Sequence, residues 1–178
     1  DNAFSGCSSL ETVSIPNSVT SIGNRAFYAC NGLQSVSLGK GLKSIGEAAF
    51  SGCALISSLT LDTPLVAMDL TGGFMATYFG NSVTNIKSVT IGDSVTKIEK
   101  KFAFQCKNLE SVTMSDSSSV TSIGVQAFYE TALKTITIPD SVTSIGEGAF
   151  SYCNGLESAT LGVGVISIGD GAFQATGL

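Results

Sequence analysis

The chain has 178 residues, of which 43% are apolar and only 13% charged, with a net charge of −5. That content is ample for a buried core, and the absence of a clustered Lys and Arg excess argues against nucleic acid as a partner. With no His, the commonest general base and metal ligand is missing, and no run approaches the roughly 18 apolar residues of a membrane span.

From Phe4 an aromatic recurs at Phe27, Phe50, Phe74, Phe104, Phe128, Phe150 and Phe173, at intervals of 22–24 residues with one of 30. Ile22, Ile45, Met68, Ile98, Ile123, Ile145 and Ile168 repeat alongside it. Self-similarity at such a period signals a solenoid. Residues 1–178 are therefore expected to form one repeat domain of about eight coils, the outer two truncated, as in a segment of a longer array.

In each coil an apolar trio marks the strand. The trios are Leu10/Val13/Ile15, Leu33/Val36/Leu38, Ile56/Leu59/Leu61, Ile86/Val89/Ile91, Leu109/Val112/Met114, Leu133/Ile136/Ile138 and Leu156/Ala159/Leu161. The last two residues of each are two apart and share one face of a short strand. Stacked at about 4.8 Å, the copies form a parallel sheet. Gly23, Gly46, Gly124, Gly146 and Gly169 follow the repeating Ile and imply positive φ or a close backbone approach. Pro16 and Pro139 close strands, Asn31-Gly32 and Asn154-Gly155 are turns, and the A-F-x-x-C segment predicts one helical or 3-10 turn.

A unit reading L-x-x-V-x-I-P-x-S-V-T-S-I-G-x-x-A-F-x-x-C closely resembles the BspA-like, or Treponema pallidum-type, leucine-rich repeat. Residues 10–30 and 133–153 match it nearly throughout, and only 62–85 depart badly. The resemblance implies a leucine-rich repeat solenoid, a horseshoe-type superhelix that is here mostly β. Its parallel sheet lies on the concave side, with short β, 3-10 or single helical turns on the convex side. It also implies a secreted or cell-surface protein acting as an adhesin or interaction scaffold for a protein, such as a host extracellular-matrix protein, or a glycan. The alternative is a structural spacer presenting another domain of a longer surface protein.

The strand positions between the inward residues are Thr12/Ser14, Ser35/Ser37, Ser58/Thr60, Ser88/Thr90, Ser111/Thr113, Thr135/Thr137 and Ser158/Thr160, all fourteen hydroxyl residues. Ser35, Ser37, Ser88, Thr90, Ser111, Thr113, Thr135 and Thr137 are candidate partner-binding residues of a polar docking face. The competing reading is β-propensity with cross-strand Ser and Thr pairing. Ice binding is disfavoured, since such arrays are flat and nearly all Thr, whereas half of these positions are Ser. The preceding column, Glu11, Gln34, Ser57, Lys87, Glu110, Lys134 and Glu157, alternates in sign over its last four members and reads as register control.

Residues 62–91 form an irregular long unit with about seven extra residues. Insertions in solenoids map to surface loops, so Phe74, Met75, Tyr78 and Phe79, beside Gly72-Gly73 and Gly80, are expected as exposed contact residues. Against that, Phe74 or Phe79 simply replaces the column Phe. Ser115 to Ser119 adds a plain loop, and Phe102 and Phe104 straddle the usual Phe position.

No catalytic, cofactor or metal site is expected. Cys7, Cys30, Cys53, Cys106 and Cys153 occupy one column, with Thr131 and Thr176 in place of Cys, which suits buried free thiols rather than ligands. Asp62, Asp69, Asp93 and Asp116 lack the spacing of a calcium loop. The cluster Lys97, Lys100, Lys101 and Lys107 contains Glu99 and reads as a solvated face.

Overall fold

The computed structural model describes residues 1–64, 70–115 and 117–178; the positions of Met68, Asp69 and Asp116 lie outside the described residues. One long strand belongs to each coil: β1 (Thr12–Ile15), β3 (Ser35–Leu38), β5 (Ser58–Leu61), β6 (Ser88–Ile91), β7 (Ser111–Met114), β9 (Thr135–Thr137) and β11 (Ser158–Thr160). Short strands β2 (Ser21–Ile22), β4 (Ser44–Ile45), β8 (Ser122–Ile123), β10 (Ser144–Ile145) and β12 (Ser167–Ile168) occupy another side. The long strands pair in parallel as β1-β3-β5-β6-β7 and, separately, β9-β11. The short ones form β2-β4 and β8-β10-β12, with Ile98 bridged to Ile123. This is the mostly-β leucine-rich repeat solenoid expected from the sequence.

The strands take this form because apolar residues alternate with hydroxyls. In β3, Val36 and Leu38 are buried while Ser35 and Ser37 stay half-buried. A fully buried Val, Leu or Ile contributes about 1.5–3 kcal/mol, so each coil's trio is stable only when neighbouring coils cover it. Along the solenoid the Phe rings stack, exposed Phe4 on Phe27 and Phe27 on Phe50 at 5.1 Å, then Phe128 on Phe150 at 5.3 Å and Phe150 on half-buried Phe173 at 5.1 Å.

One expectation needs correction, and two alternatives left open by the sequence are decided. The A-F-x-x-C segments are reverse turns, not helical ones: Tyr28 N donates to Arg25 O and Cys30 N to Phe27 O, while Arg25 (φ 52) and Ala29 (φ 56) are left-handed and stop any helix. Of the two roles open to the Gly after each Ile, close approach is the one it serves. A Cβ on Gly46 would lie 2.3 Å from Asn24 N, and one on Gly124 2.5 Å from Lys100 N. Of the two rings that could continue the Phe file in the long unit, Phe79 does so, stacked on Phe50 at 5.0 Å.

That unit forms α1 (Phe74–Phe79) followed by a 3-10 helix (Gly80–Asn85). Phe50 N donates to Tyr78 O, and Met75 N donates to Phe102 O, so one short helix bonds both flanking coils. Phe74 stacks on Phe102 at 5.8 Å. In this next coil the Ala-Phe order is reversed: Ala103 N donates to Ala127 O as Phe27 N does to Ala49 O, placing Ala103 at the Phe position. Phe74 and Phe102 supply the volume that Ala103 lacks.

Candidate functional site

The strand registers align the hydroxyls into two files. Thr12, Ser35, Ser58, Ser88 and Ser111 form one, and Ser14, Ser37, Thr60, Thr90 and Thr113 the other. Thr135 pairs with Ser158 and Thr137 with Thr160. All fourteen are exposed or half-buried. None of their hydroxyls bonds another protein group, although Ser and Thr elsewhere do; Thr143 Oγ1 donates to Thr121 O at 3.1 Å and Ser141 Oγ to Val120 O at 2.8 Å. The face therefore presents donors and acceptors to solvent, with no side-chain hydrogen bond formed among the fourteen.

The two files are interrupted once, between β7 and β9. Just before β9 the coil is one residue short: Thr131-Ala132-Leu133 stands where the neighbouring coils have Cys106-Lys107-Asn108-Leu109 and Cys153-Asn154-Gly155-Leu156. Lys134 N reaches Glu110 O at 3.4 Å, against 2.8 Å for Glu110 N to Lys87 O and 2.9 Å for Glu157 N to Lys134 O. An opening of about 380 Å³ results on the hydroxyl face, lined by Ser111, Thr113, Thr135 and Thr137 among others. Four candidate residues from separate strands thus meet at one place. Ser35, Ser37, Ser88 and Thr90 continue the same surface without forming a pocket.

Phe74, Met75, Tyr78 and Phe79 do not join them. All four are buried and belong to the core, so the expectation of an exposed contact loop is corrected. The physical reason is the space opened by the extra residues, which α1 fills by turning four of its six side chains inward. Exposed Tyr152 instead ends a line of surface aromatics whose other members, Phe104 and Tyr129, are half-buried. Phe104 stacks on Tyr129 at 5.0 Å, and Tyr129 meets Tyr152 edge-on at 5.4 Å. Lys101 Nζ sits 5.4 Å from the Phe104 ring centre. The signal available in the sequence was the shortened Thr131–Leu133 spacing, with Tyr129 one and Tyr152 two positions beyond the core Phe.

The charged column is held by the backbone ladder, yet among its described side chains the ion pair formed is Lys134–Glu110 at 3.7 Å, largely exposed. Such a pair is worth about 0–1 kcal/mol, consistent with a register role only.

The five cysteines are free; four are buried and Cys7 is exposed. Cys30 Sγ donates to Phe4 O and Cys53 Sγ to Phe27 O, each at 3.0 Å, and Thr131 Oγ1 donates to Phe128 O at the same distance. The thiols reach back to the Phe carbonyl of the preceding coil, whereas Thr131 bonds the carbonyl of its own coil and shares it with Cys153 Sγ at 3.1 Å, so Thr fits the small buried position without repeating the Cys bond. Burial pushes the Cys53 thiol up to about 11 and Cys106 to about 12. Native protein at neutral pH is expected to be alkylated by iodoacetamide at Cys7 alone, read by mass spectrometry; rapid labelling of Cys53 or Cys106 would contradict this packing. Because these folded-state values exceed the ordinary 9.0, their stabilisation is complete below pH 9 and is lost as pH rises through about 11–12.

Residues 1–69 and 75–178 match the BspA type leucine-rich repeat region, in six copies. The chain belongs to the BspA-type leucine-rich repeat family. Among solved structures, this BspA-type chain is similar to a leucine-rich cell surface protein from Faecalibacterium prausnitzii, with 32% identity over 85% of this chain and 39% of that one, TM-score 0.54. A leucine-rich repeat protein from Bacteroides ovatus shares the fold at 24% identity over 98% and 55% of the two chains, TM-score 0.59. So does the T. pallidum leucine-rich repeat protein, at 21% identity over 89% and 72%, TM-score 0.57. The chain thus spans about two-fifths and just over half of the first two. No curated protein matches it. Among the described residues no helix is long and apolar enough to cross a membrane.

Proposed function

We propose that this BspA-type chain is a non-enzymatic interaction scaffold, at the cell surface or secreted, that binds a protein partner through its hydroxyl face. The observation that carries this reading is the set of fourteen register-aligned hydroxyls without protein partners. A repeated row of donors and acceptors suits an extended polar surface, and the β7/β9 opening supplies a recess for a protruding side chain. The relative described as a cell surface protein supports the location.

The test is surface plasmon resonance of the chain against fibronectin, laminin and collagen, with the triple variant Thr90→Glu, Thr113→Glu, Thr137→Glu beside the wild type. These side chains are exposed, so folding is expected to survive, with loss of binding of about tenfold or more. Binding unchanged by the three carboxylates would remove the face from the reading. Absence of binding to all three proteins would favour the spacer.

A further inference from the structure

The shortened coil produces a second opening, around the edge from the hydroxyl face and larger than the first. It measures about 550 Å³, and its lining includes Lys107, Glu130, Ala132, Lys134, Tyr152 and Glu157. The Asn154-Gly155 turn and Lys107 wall it on either side, and Ala132 lies where the missing residue would have filled it. The size falls within the ordinary range of small-ligand sites, roughly 300–1,000 Å³.

Two features give this notch a chemical character. The Tyr152 ring is 42% exposed, yet it is braced by Tyr129, which Phe104 braces in turn. Its main chain is fixed in the left-handed region (φ 61), with its N–H bonded to Gln174 O at 2.8 Å. A rigid, exposed ring loses little entropy when a ligand packs on it. Around it stand two ammonium and two carboxylate groups whose formal charges cancel. Glu130 accepts from Gln105 Nε2 at 2.9 Å and lies 3.7 Å from Lys107 Nζ, so the acceptor is oriented.

We infer that the notch binds a neutral saccharide unit of a glycan, one face of the sugar ring packed on Tyr152 and its hydroxyls bonded to the Glu and Lys groups. Sugar C–H groups carry partial positive charge and suit the negative face of an aromatic ring. Hydroxyls donate to carboxylates and accept from ammonium groups, so mixed lining of zero net charge serves them well. A phosphate or other anion would meet two carboxylates, and a cationic peptide two lysines. The notch shares no lining residue with the fourteen hydroxyls, so this inference stands apart from the protein-binding reading.

Saturation-transfer NMR and titration calorimetry with lactose, cellobiose, maltose and N,N′-diacetylchitobiose, each to about 10 mM, would test it. At least one disaccharide is expected to bind. Tyr152→Ala should weaken it about tenfold. Replacing Ala132 by Asn-Gly, the turn used by the next coil, should close the notch and abolish binding with the thermal melt retained. Tyr28→Ala, at an exposed ring elsewhere, should leave binding unchanged. Failure of all four sugars to bind overturns the inference, as does binding that survives both notch variants. If the Asn-Gly variant does not fold, exposed Tyr152 decides the matter alone.

Discussion

Phe79→Ala is expected to lower the free energy of unfolding by about 3–5 kcal/mol. The ring has no solvent exposure, stacks on Phe50 at 5.0 Å and lies 6.4 Å from Phe74. Its removal leaves a void at the junction of the long unit, where α1 bonds the coils on either side, as β5 does through its pairs with β3 and β6. In a solenoid each coil is stabilised mainly by its neighbours, so a void at a central junction should also reduce cooperativity. Urea unfolding followed by circular dichroism should show a lower midpoint and a broadened or split transition. Tyr28→Ala, an exposed ring whose main contact is Arg25 at 5.6 Å, should change stability by no more than about 1 kcal/mol. A Phe79→Ala midpoint within error of Tyr28→Ala would show that the Phe file is not what joins the two halves. The result also bears on binding experiments, because lost binding in Phe79→Ala or Tyr78→Ala reports a damaged core rather than a missing contact.

Gly73→Ala should cost about 2–6 kcal/mol, from backbone strain and from overpacking together. Gly73 has φ 83 and ψ 160, a region reached essentially by Gly alone, and its Cβ would stand 1.9 Å from the carbonyl oxygen of Lys101 in the next coil. Neither coil can move without breaking the bond from Met75 N to Phe102 O. The adjacent Gly72 is the control. A Cβ there meets nothing nearer than Thr77 Oγ1 at 4.0 Å, so Gly72→Ala should stay within about 0.5 kcal/mol of the wild type. Equal effects at the two positions would refute the close approach. Two neighbouring glycines that look alike in the sequence thus have different tasks, and only the position of the next coil separates them.

The same contrast runs through the candidate site. Repetition made the strands, their inward faces and the two hydroxyl files legible, because a two-residue alternation leaves one orientation once one side is apolar. It also made the Cys column legible as packing, since Thr takes the same place. The irregular unit misled in a specific way. Four apolar side chains outside the repeat look like an exposed contact loop when counted along the chain. In space all four are buried: Phe79 continues the Phe file on Phe50, and Phe74, stacked on Phe102, makes up for the small Ala103 one coil later. The opposite irregularity, one residue missing at Ala132, looks trivial in the sequence and opens both cavities.

By itself the sequence determined that this protein is a parallel-stranded repeat solenoid with a hydroxyl-lined face, because periodic burial admits no other stacking. The tertiary structure alone decided which exceptions to the repeat are packed and which are open. An insertion can bury its extra side chains in a neighbour's deficit, whereas a deletion between two full-length turns leaves space that nothing in the chain can fill.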